Sequence, residues 1–483
     1  MAKNYDVIVL GAGPAGVTAA LRAAELGARV GLVERGQPGG TAANDGVVPT
    51  RTLAYAARLM RHARQFQSYG LVSEIPQVDF AAVLAHAQGT VYRLHESKQL
   101  IERLQAAGAA VRVSVGGAQF INPHEITLAE GERLTAGRFI LATGGHSRRI
   151  SFPGSELCLT HSDLWRLPQL PPSVTIFGGA ATGCQVASIL NDFGVQVTLV
   201  ERGSRLLSRE DPQISETIQQ VLAARGLQVV AGFESIEQVT RLDAGFRVAI
   251  QRDGALDSWE TGAVISAVGW EANTAGLGLE NAGVSIERGF VQVNDYLQTR
   301  AAHIYAAGDV TGRMMLAQAA SYEGRTAAEN AVLGNLVPFQ HLIVPHGGFT
   351  DPEYGAVGLT EDQLTPDQPA VVVCVPYQDL DRAVIDGHTE GFFKLIVSVE
   401  NHRLLGAAAV GEQALETIQL AAAAMSADMW VEQLAELELA YPTYTAIIGL
   451  AARRAMAELG VLPIHPDLRR RGGSLAEWER TAD

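Results

Sequence analysis

Cysteine is scarce in this chain. Three cysteines stand among 483 residues, Cys158, Cys184 and Cys374, far apart and in no CxxC spacing. Such usage fits a reducing cytoplasm, with all three thiols buried or incidental. Cations are in deficit too: 37 Lys plus Arg face 52 Asp plus Glu, a formal charge of −15 at pH 7. A nucleic-acid partner needs a basic surface, and anionic lipid repels an acidic one, so neither partner is expected. No apolar run approaches the roughly 18 residues of a membrane span. A strand pattern begins almost at Met1, so a signal peptide is not expected. Glycine, by contrast, is abundant at 50 residues, and hydrophobic residues make up 47% against 18% charged. That is a turn-rich α/β composition, and the length implies about three domains.

The glycines concentrate where they carry chemistry. Residues 7–10 form a short apolar run of the kind buried on both faces of a parallel sheet. Gly11, Gly13 and Gly16 follow in G-x-G-x-x-G spacing, then a helix expected over residues 15–26 and a strand ending at Glu34. Gly11 permits the sharp turn, Gly13 lets a pyrophosphate approach the backbone, and Gly16 lets helix pack on strand. The helix aims its free N–H groups and dipole at that pyrophosphate. Glu34, 23 positions after Gly11 and followed by Arg35, is placed to accept ribose hydroxyls. A lone glycine triplet is weak evidence; one framed by strand, helix, strand and acid is strong.

A second unit repeats the pattern. Residues 174–177 lead into Gly178, Ala180 and Gly183, and a strand over 195–200 runs into Glu201, again 23 positions on. Two units imply two dinucleotides. Ala180 holds the middle position, where its methyl group crowds the pyrophosphate; weaker nicotinamide binding is one consequence. Glu201 would accept from a ribose 2′-OH and repel a 2′-phosphate, which favours NADH. Arg202 and Arg205 follow directly and leave NADPH open.

Between the units, residues 39–51 read GGTAANDGVVPTR. This stretch resembles the G-G-T-C-x-N-x-G-C-x-P-[ST]-K pattern of the pyridine nucleotide–disulfide oxidoreductases, which include dihydrolipoamide dehydrogenases, mercuric reductases and glutathione reductases. Gly39, Gly40, Thr41, Asn44, Gly46, Pro49 and Thr50 match it. The resemblance extends to Thr143 and Gly144 of an A-T-G turn, where small residues admit the flavin. It implies an adenine contact by the Ala118 backbone. It also implies that Asp309 of A-x-G-D accepts from the ribityl chain, and that Ala317 opens a helix facing the flavin's pyrimidine end. Gly269 closes the nicotinamide domain, followed by Trp270 where relatives have arginine. From about residue 345 the chain is similar to the family's dimerisation domain.

The fold this implies is α/β, with two doubly wound dinucleotide-binding domains, for FAD and NAD(P), plus a C-terminal α+β dimerisation domain. The FAD domain is expected over 1–151 and 273–340, the NAD(P) domain over 152–272, the dimerisation domain over 341–465, and a polar tail over 466–483. FAD and NAD(P)H are the implied cofactors and a homodimer the implied assembly. The helix near residues 418–425 reads equally as two-fold interface or as plain core.

The departures lie where the family does its chemistry. Ala42 and Val47 replace the redox cysteines, and neither offers the nucleophilic thiolate. Arg51 replaces the lysine and Gln185 its partner glutamate, which leaves a positive charge near the flavin unless another carboxylate takes it. Ala181 replaces a lid tyrosine. Tyr441 and Ala446 stand where relatives carry a histidine–glutamate base, and a phenol is a poor base at neutral pH. Helices are expected over 52–65 and 80–107, with Arg51, Arg58, Arg61 and Arg64 as a solvated face rather than an anion site. The expected function is NAD(P)H oxidation through FAD, with electrons passed directly to a small non-disulfide acceptor: a quinone, oxygen or a metal ion. Ala42, Val47 and the partner subunit's Tyr441 and Tyr444 would line its site. The alternative is a redox-sensing or structural flavoprotein with little turnover.

Overall fold

The structure is a computed structural model and describes residues 3–341 and 343–461. The expected polar tail lies outside the described residues.

The first sheet places Ala110–Arg112, Val30–Val33, Lys3–Leu10 and Arg133–Leu141 side by side and parallel. Every residue of Val30–Val33 is buried, as a strand covered on both faces requires. Arg133–Leu141 divides its far edge. Its start pairs antiparallel with Glu125–Leu128, and its end pairs parallel with Ile304–Ala306, which the chain adds after a long excursion. The next helix, Ala317–Leu333, packs on Pro14–Glu25 so closely that a Cβ on Gly324 would stand 2.1 Å from the Ala15 carbonyl oxygen.

During that excursion a second parallel sheet forms in the order Gln228–Ala231, Gln196–Glu201, Ser173–Phe177 and Ala263–Ser266. A three-stranded antiparallel sheet accompanies it. The C-terminal part is a five-stranded sheet, His346–Gly348, Glu353–Gly358, Leu404–Gly411, Phe392–Ser398 and Ala370–Pro376, all antiparallel. Helices Ala414–Ser426 and Ile447–Glu458 share one apolar core with it. Ile418 and Ala421 are fully buried inside the single chain, so that face of Ala414–Ser426 is core.

Two helical expectations are corrected. The stretch 80–107 breaks at Gln99, whose φ is +44°, into Phe80–Lys98 and Leu100–Ala106. The helix expected from residue 52 spans Val47–Gln65, and its arginines are not a solvated face. The Arg58 and Arg61 side chains are 14% and 13% exposed. Arg58 bonds Glu353 at 2.8 Å and Glu412 at 3.0 Å, and Arg61 lies 2.7 Å from Asp351. The helix docks against the C-terminal sheet, and carboxylates buried at that seam require cationic partners. Arg64 is half-exposed and donates to the Asp192 carbonyl at 2.9 Å.

Candidate active site

The two glycine loops share one geometry. Gly11 has φ +102°, and a Cβ there would stand 2.2 Å from the Ala142 oxygen; one on Gly16 would stand 1.8 Å from the Gly11 oxygen. Gly178 and Gly183 repeat this, at 2.4 Å from the Ala267 oxygen and 1.7 Å from the Gly178 oxygen. The outer glycines are thus demanded by the protein's own packing. The middle position is not: Gly13 has φ −76°, and a Cβ there meets nothing nearer than the Gly40 Cα at 3.7 Å. Ala180 has nearly the same backbone, φ −82°, with its methyl group exposed at the start of helix Ala181–Asp192. The substitution leaves the fold intact and is felt where a pyrophosphate would lie.

Glu34 and Glu201 are equally matched. Glu34 accepts from the Ala12 and Gly36 N–H groups, both at 2.7 Å; Glu201 accepts from Gly179 at 2.5 Å and Gly203 at 2.7 Å. Each carboxylate ties its loop to the next turn, and its remaining lone pairs are available to ribose hydroxyls. Arg35 and Arg202 are exposed. Arg205 is held, donating to the Ser208 carbonyl at 3.0 Å with Asp362 3.4 Å away.

The cradle beside the first loop closes on itself. Gly40 has φ +58°, and a Cβ there would stand 2.8 Å from the Gly13 Cα. Thr41 Oγ1 donates to the Gly145 carbonyl at 3.4 Å. Thr143 Oγ1 donates to the Asn273 carbonyl at 2.9 Å, and Asn273 Nδ2 returns a bond to Thr143 at 2.8 Å, so the Gly144 turn is pinned to the returning chain. Gly269, with φ +111°, has open space on its Cβ side. Ala317 opens its helix without a side-chain cap, and Ala118 pairs with Leu128 at the sheet edge. The Asp309 carboxyl is partly buried and accepts from its own backbone N–H. Burial, then the nearby Glu323 carboxylate, pushes its carboxyl up to about 6. A partly buried carboxylate with lone pairs to spare, beside a loop open at Gly13, fits a polyol–diphosphate such as FAD.

No thiol reaches this place. All three cysteines are free, and Cys158 and Cys184 are buried. Burial raises the Cys158 thiol to about 11 and pushes Cys184 higher still. Val47 is 45% exposed and Ala42 partly buried.

Of the two readings open for Arg51, the structure shows the second, in which another carboxylate takes its charge: it is ion-paired with Glu353, with Glu416 at 3.9 Å and the Phe349 ring at 4.8 Å. Gln185 cannot offer it a charge and instead accepts from the Phe349 N–H at 3.1 Å. Tyr444, expected at the partner's cleft, is corrected: it is not at the surface of its own chain. It is buried, donates to Asp386 at 3.1 Å and stacks on Tyr377 at 5.9 Å, because its ring completes its own domain's core. Tyr441 is exposed and donates to Asp381 at 2.7 Å.

Sequence reasoning missed Asp45 and His161. Asp45, between Ala42 and Val47, accepts from Ser162 Oγ at 2.6 Å and Trp165 Nε1 at 3.1 Å, with His161 Nε2 at 3.6 Å. His161 is buried, bonds Ser147 Oγ at 2.7 Å, packs on Trp270 and is held neutral by burial. The T-x-x-D capping box at Thr160 and Asp163 was the available signal for that short helix.

Residues 5–324 match the model of the pyridine nucleotide-disulphide oxidoreductases, and residues 344–452 match that family's dimerisation domain. The chain belongs to this oxidoreductase family. It is 31% identical to the dihydrolipoyl dehydrogenase of Bacillus subtilis (strain 168) over 473 residues, covering 94% of this chain and 98% of that one. It is 32% identical to a mercuric reductase of Lysinibacillus sphaericus, covering 93% and 82%. Among solved structures, LpdA from Mycobacterium tuberculosis superposes with a TM-score of 0.83 at 28% identity, covering 94% and 99%. A Cu(II) complex of the HOCl-induced flavoprotein disulfide reductase RclA from Escherichia coli gives 0.83 at 26%, covering 94% and 100%. Members of the family use FAD and NAD(P)H, so this oxidoreductase is a flavoprotein with a dimerisation domain. No helix among the described residues is long and apolar enough to cross a membrane.

Proposed function

We propose that this chain is an NADH-oxidising, FAD-dependent oxidoreductase that delivers electrons from the flavin site to a small non-disulfide acceptor. The observation that carries this reading is the absence of sulfur at Ala42 and Val47 together with the burial of all cysteines but the partly exposed Cys374 elsewhere. FAD, when bound, supplies acceptance of a hydride from nicotinamide and its onward release as two electrons. The chain's residues do the rest. The Gly11–Gly16 loop and Glu34 orient the adenosine diphosphate, and Asp309 accepts from the ribityl hydroxyls. Glu201 favours a free ribose hydroxyl, which supports NADH over NADPH.

Ala42 and Val47 make a small apolar wall, and the partner subunit's Tyr441 is the one phenol left to approach it. Such a wall suits a flat acceptor such as a quinone, with oxygen or a metal ion as competitors. With a quinone the reaction balances as one NADH, one proton and one quinone giving NAD⁺ and a quinol. A homodimer, a cytoplasmic location and domain boundaries after residues 151, 272 and 340 belong to the same reading. The test is anaerobic reduction with NADH followed by quinone, glutathione disulfide or lipoamide. Reoxidation by quinone alone is expected; steady turnover of either disulfide contradicts the proposal. Ala180 favours a second reading, a redox-sensing or structural flavoprotein, which requires that neither NADH nor NADPH bleach the flavin.

A further inference from the structure

Away from the nucleotide clefts, helix Val47–Gln65 meets the C-terminal sheet at a second chemically distinct place. His62 on the helix, His388 in the turn after Asp381–Asp386 and Glu412 at the end of Leu404–Gly411 bring their ligating atoms within 4.8 Å of one another. We propose that His62, His388 and Glu412 form a binding site for a borderline divalent cation such as zinc.

The donor set is two imidazoles and a carboxylate, which leaves a fourth position for water. His62 Nε2 is buried and has no hydrogen-bond partner, a cost that a metal bond would remove. The two imidazole rings sit 5.2 Å apart at 37°. His388 is positioned by its own N–H, which donates to the Ala383 carbonyl at 2.8 Å, and Tyr69 donates to Ile385 just before it at 3.1 Å. A small cleft lined by Gln65, Pro352, Gly387 and Glu390 gives access.

The cluster lies in a seam of mixed charge, where Arg61 and Arg58 oppose a cation at His62 and Asp351 and Asp386 favour one. Arg51, Arg58, Arg61 and Arg225 face Asp351, Glu353, Glu390, Glu412 and Glu416, so carboxylates outnumber guanidiniums. Glu412 Oε1 is committed to Arg58 at 3.0 Å, but Oε2 lies 3.7 Å from Arg61 and is the freer oxygen. A metal there would stitch the helix that starts at Val47 to the C-terminal domain. This proposal does not depend on the identity of the electron acceptor.

The experiment is calorimetric titration of zinc sulfate into the EDTA-treated, FAD-loaded full-length protein, with a thermal melt alongside. The expected result is one zinc per chain and a raised melting temperature. His62→Asn and His388→Asn should each weaken binding by about tenfold or more. His124→Asn serves as control, since His124 stacks on His303 at 4.2 Å in a comparable histidine pair. If His62→Asn loses the fold, His388→Asn decides. Zinc binding unchanged in the His388 variant, or none in the parent protein, overturns the proposal.

Discussion

Arg51 and Glu353 are ion-paired across the seam between the loop of the missing cysteines and the C-terminal sheet, and Glu353 is fully buried. Arg58 bonds the same carboxylate oxygen at 2.8 Å. Removing Glu353 leaves two guanidiniums without their shared anion, so Glu353→Ala should cost about 3–5 kcal/mol in urea unfolding. Because Arg51 is already engaged, Arg51→Met should shift the flavin midpoint by less than about 30 mV, equivalent to about 1.4 kcal/mol for two electrons. A larger shift would mean that Arg51 acts on the flavin after all.

Asp309 gives the apo-protein a defined pH dependence. Its carboxyl is raised from 3.8 to about 6 by burial and by Glu323. A folded value above the unfolded one means that the native state holds the proton more tightly. Stability is then lost as pH rises from about 4 to about 6, by at most about 3 kcal/mol. Asp309→Asn should flatten that fall in apo-protein melts while weakening FAD retention. An unchanged pH profile in the variant would contradict the assignment.

Ala180→Gly should leave the fold alone, since the backbone there is extended and glycine is accepted at an N-cap. Removing the methyl group from the pyrophosphate approach should lower the NADH Kd about threefold to tenfold, or about 0.6–1.4 kcal/mol. Stopped-flow flavin bleaching at varied NADH measures it.

Thiol reagents should not inhibit. The Cys158 thiol sits near pKa 11, and burial pushes Cys184 and Cys374 up as well. Since the thiolate is the reactive form, iodoacetamide at pH 7 should leave NADH oxidation unchanged. Loss of activity in step with labelling would place a cysteine in the reaction.

The two glycine loops were legible because their spacing is local. Gly16 and Gly183 pack on the Gly11 and Gly178 oxygens of their own turns, and Glu34 and Glu201 fall at a set distance from them; the Ala142 and Ala267 oxygens that crowd Gly11 and Gly178 come from distant strands. The charge seam was not legible. Arg58 meets Glu353 and Glu412 across separations of 295 and 354 residues, so no window of sequence displays the pairing. Tyr444 failed differently. Its place was carried over from the family's dimer, whereas Tyr377, Arg382 and Asp386 of its own chain enclose the ring. The break at Gln99 reflects a left-handed residue with no glycine to announce it.

The central claim is that electrons leave from the flavin with no sulfur relay beside it, and counting electrons tests that most directly. A flavin stores two electrons, and an adjacent redox disulfide would store two more. In an anaerobic titration of the FAD-loaded protein with NADH, bleaching should be complete at one NADH per flavin, with no further NADH oxidised. Consumption of a second equivalent, or a flavin that stays oxidised throughout, would contradict the account.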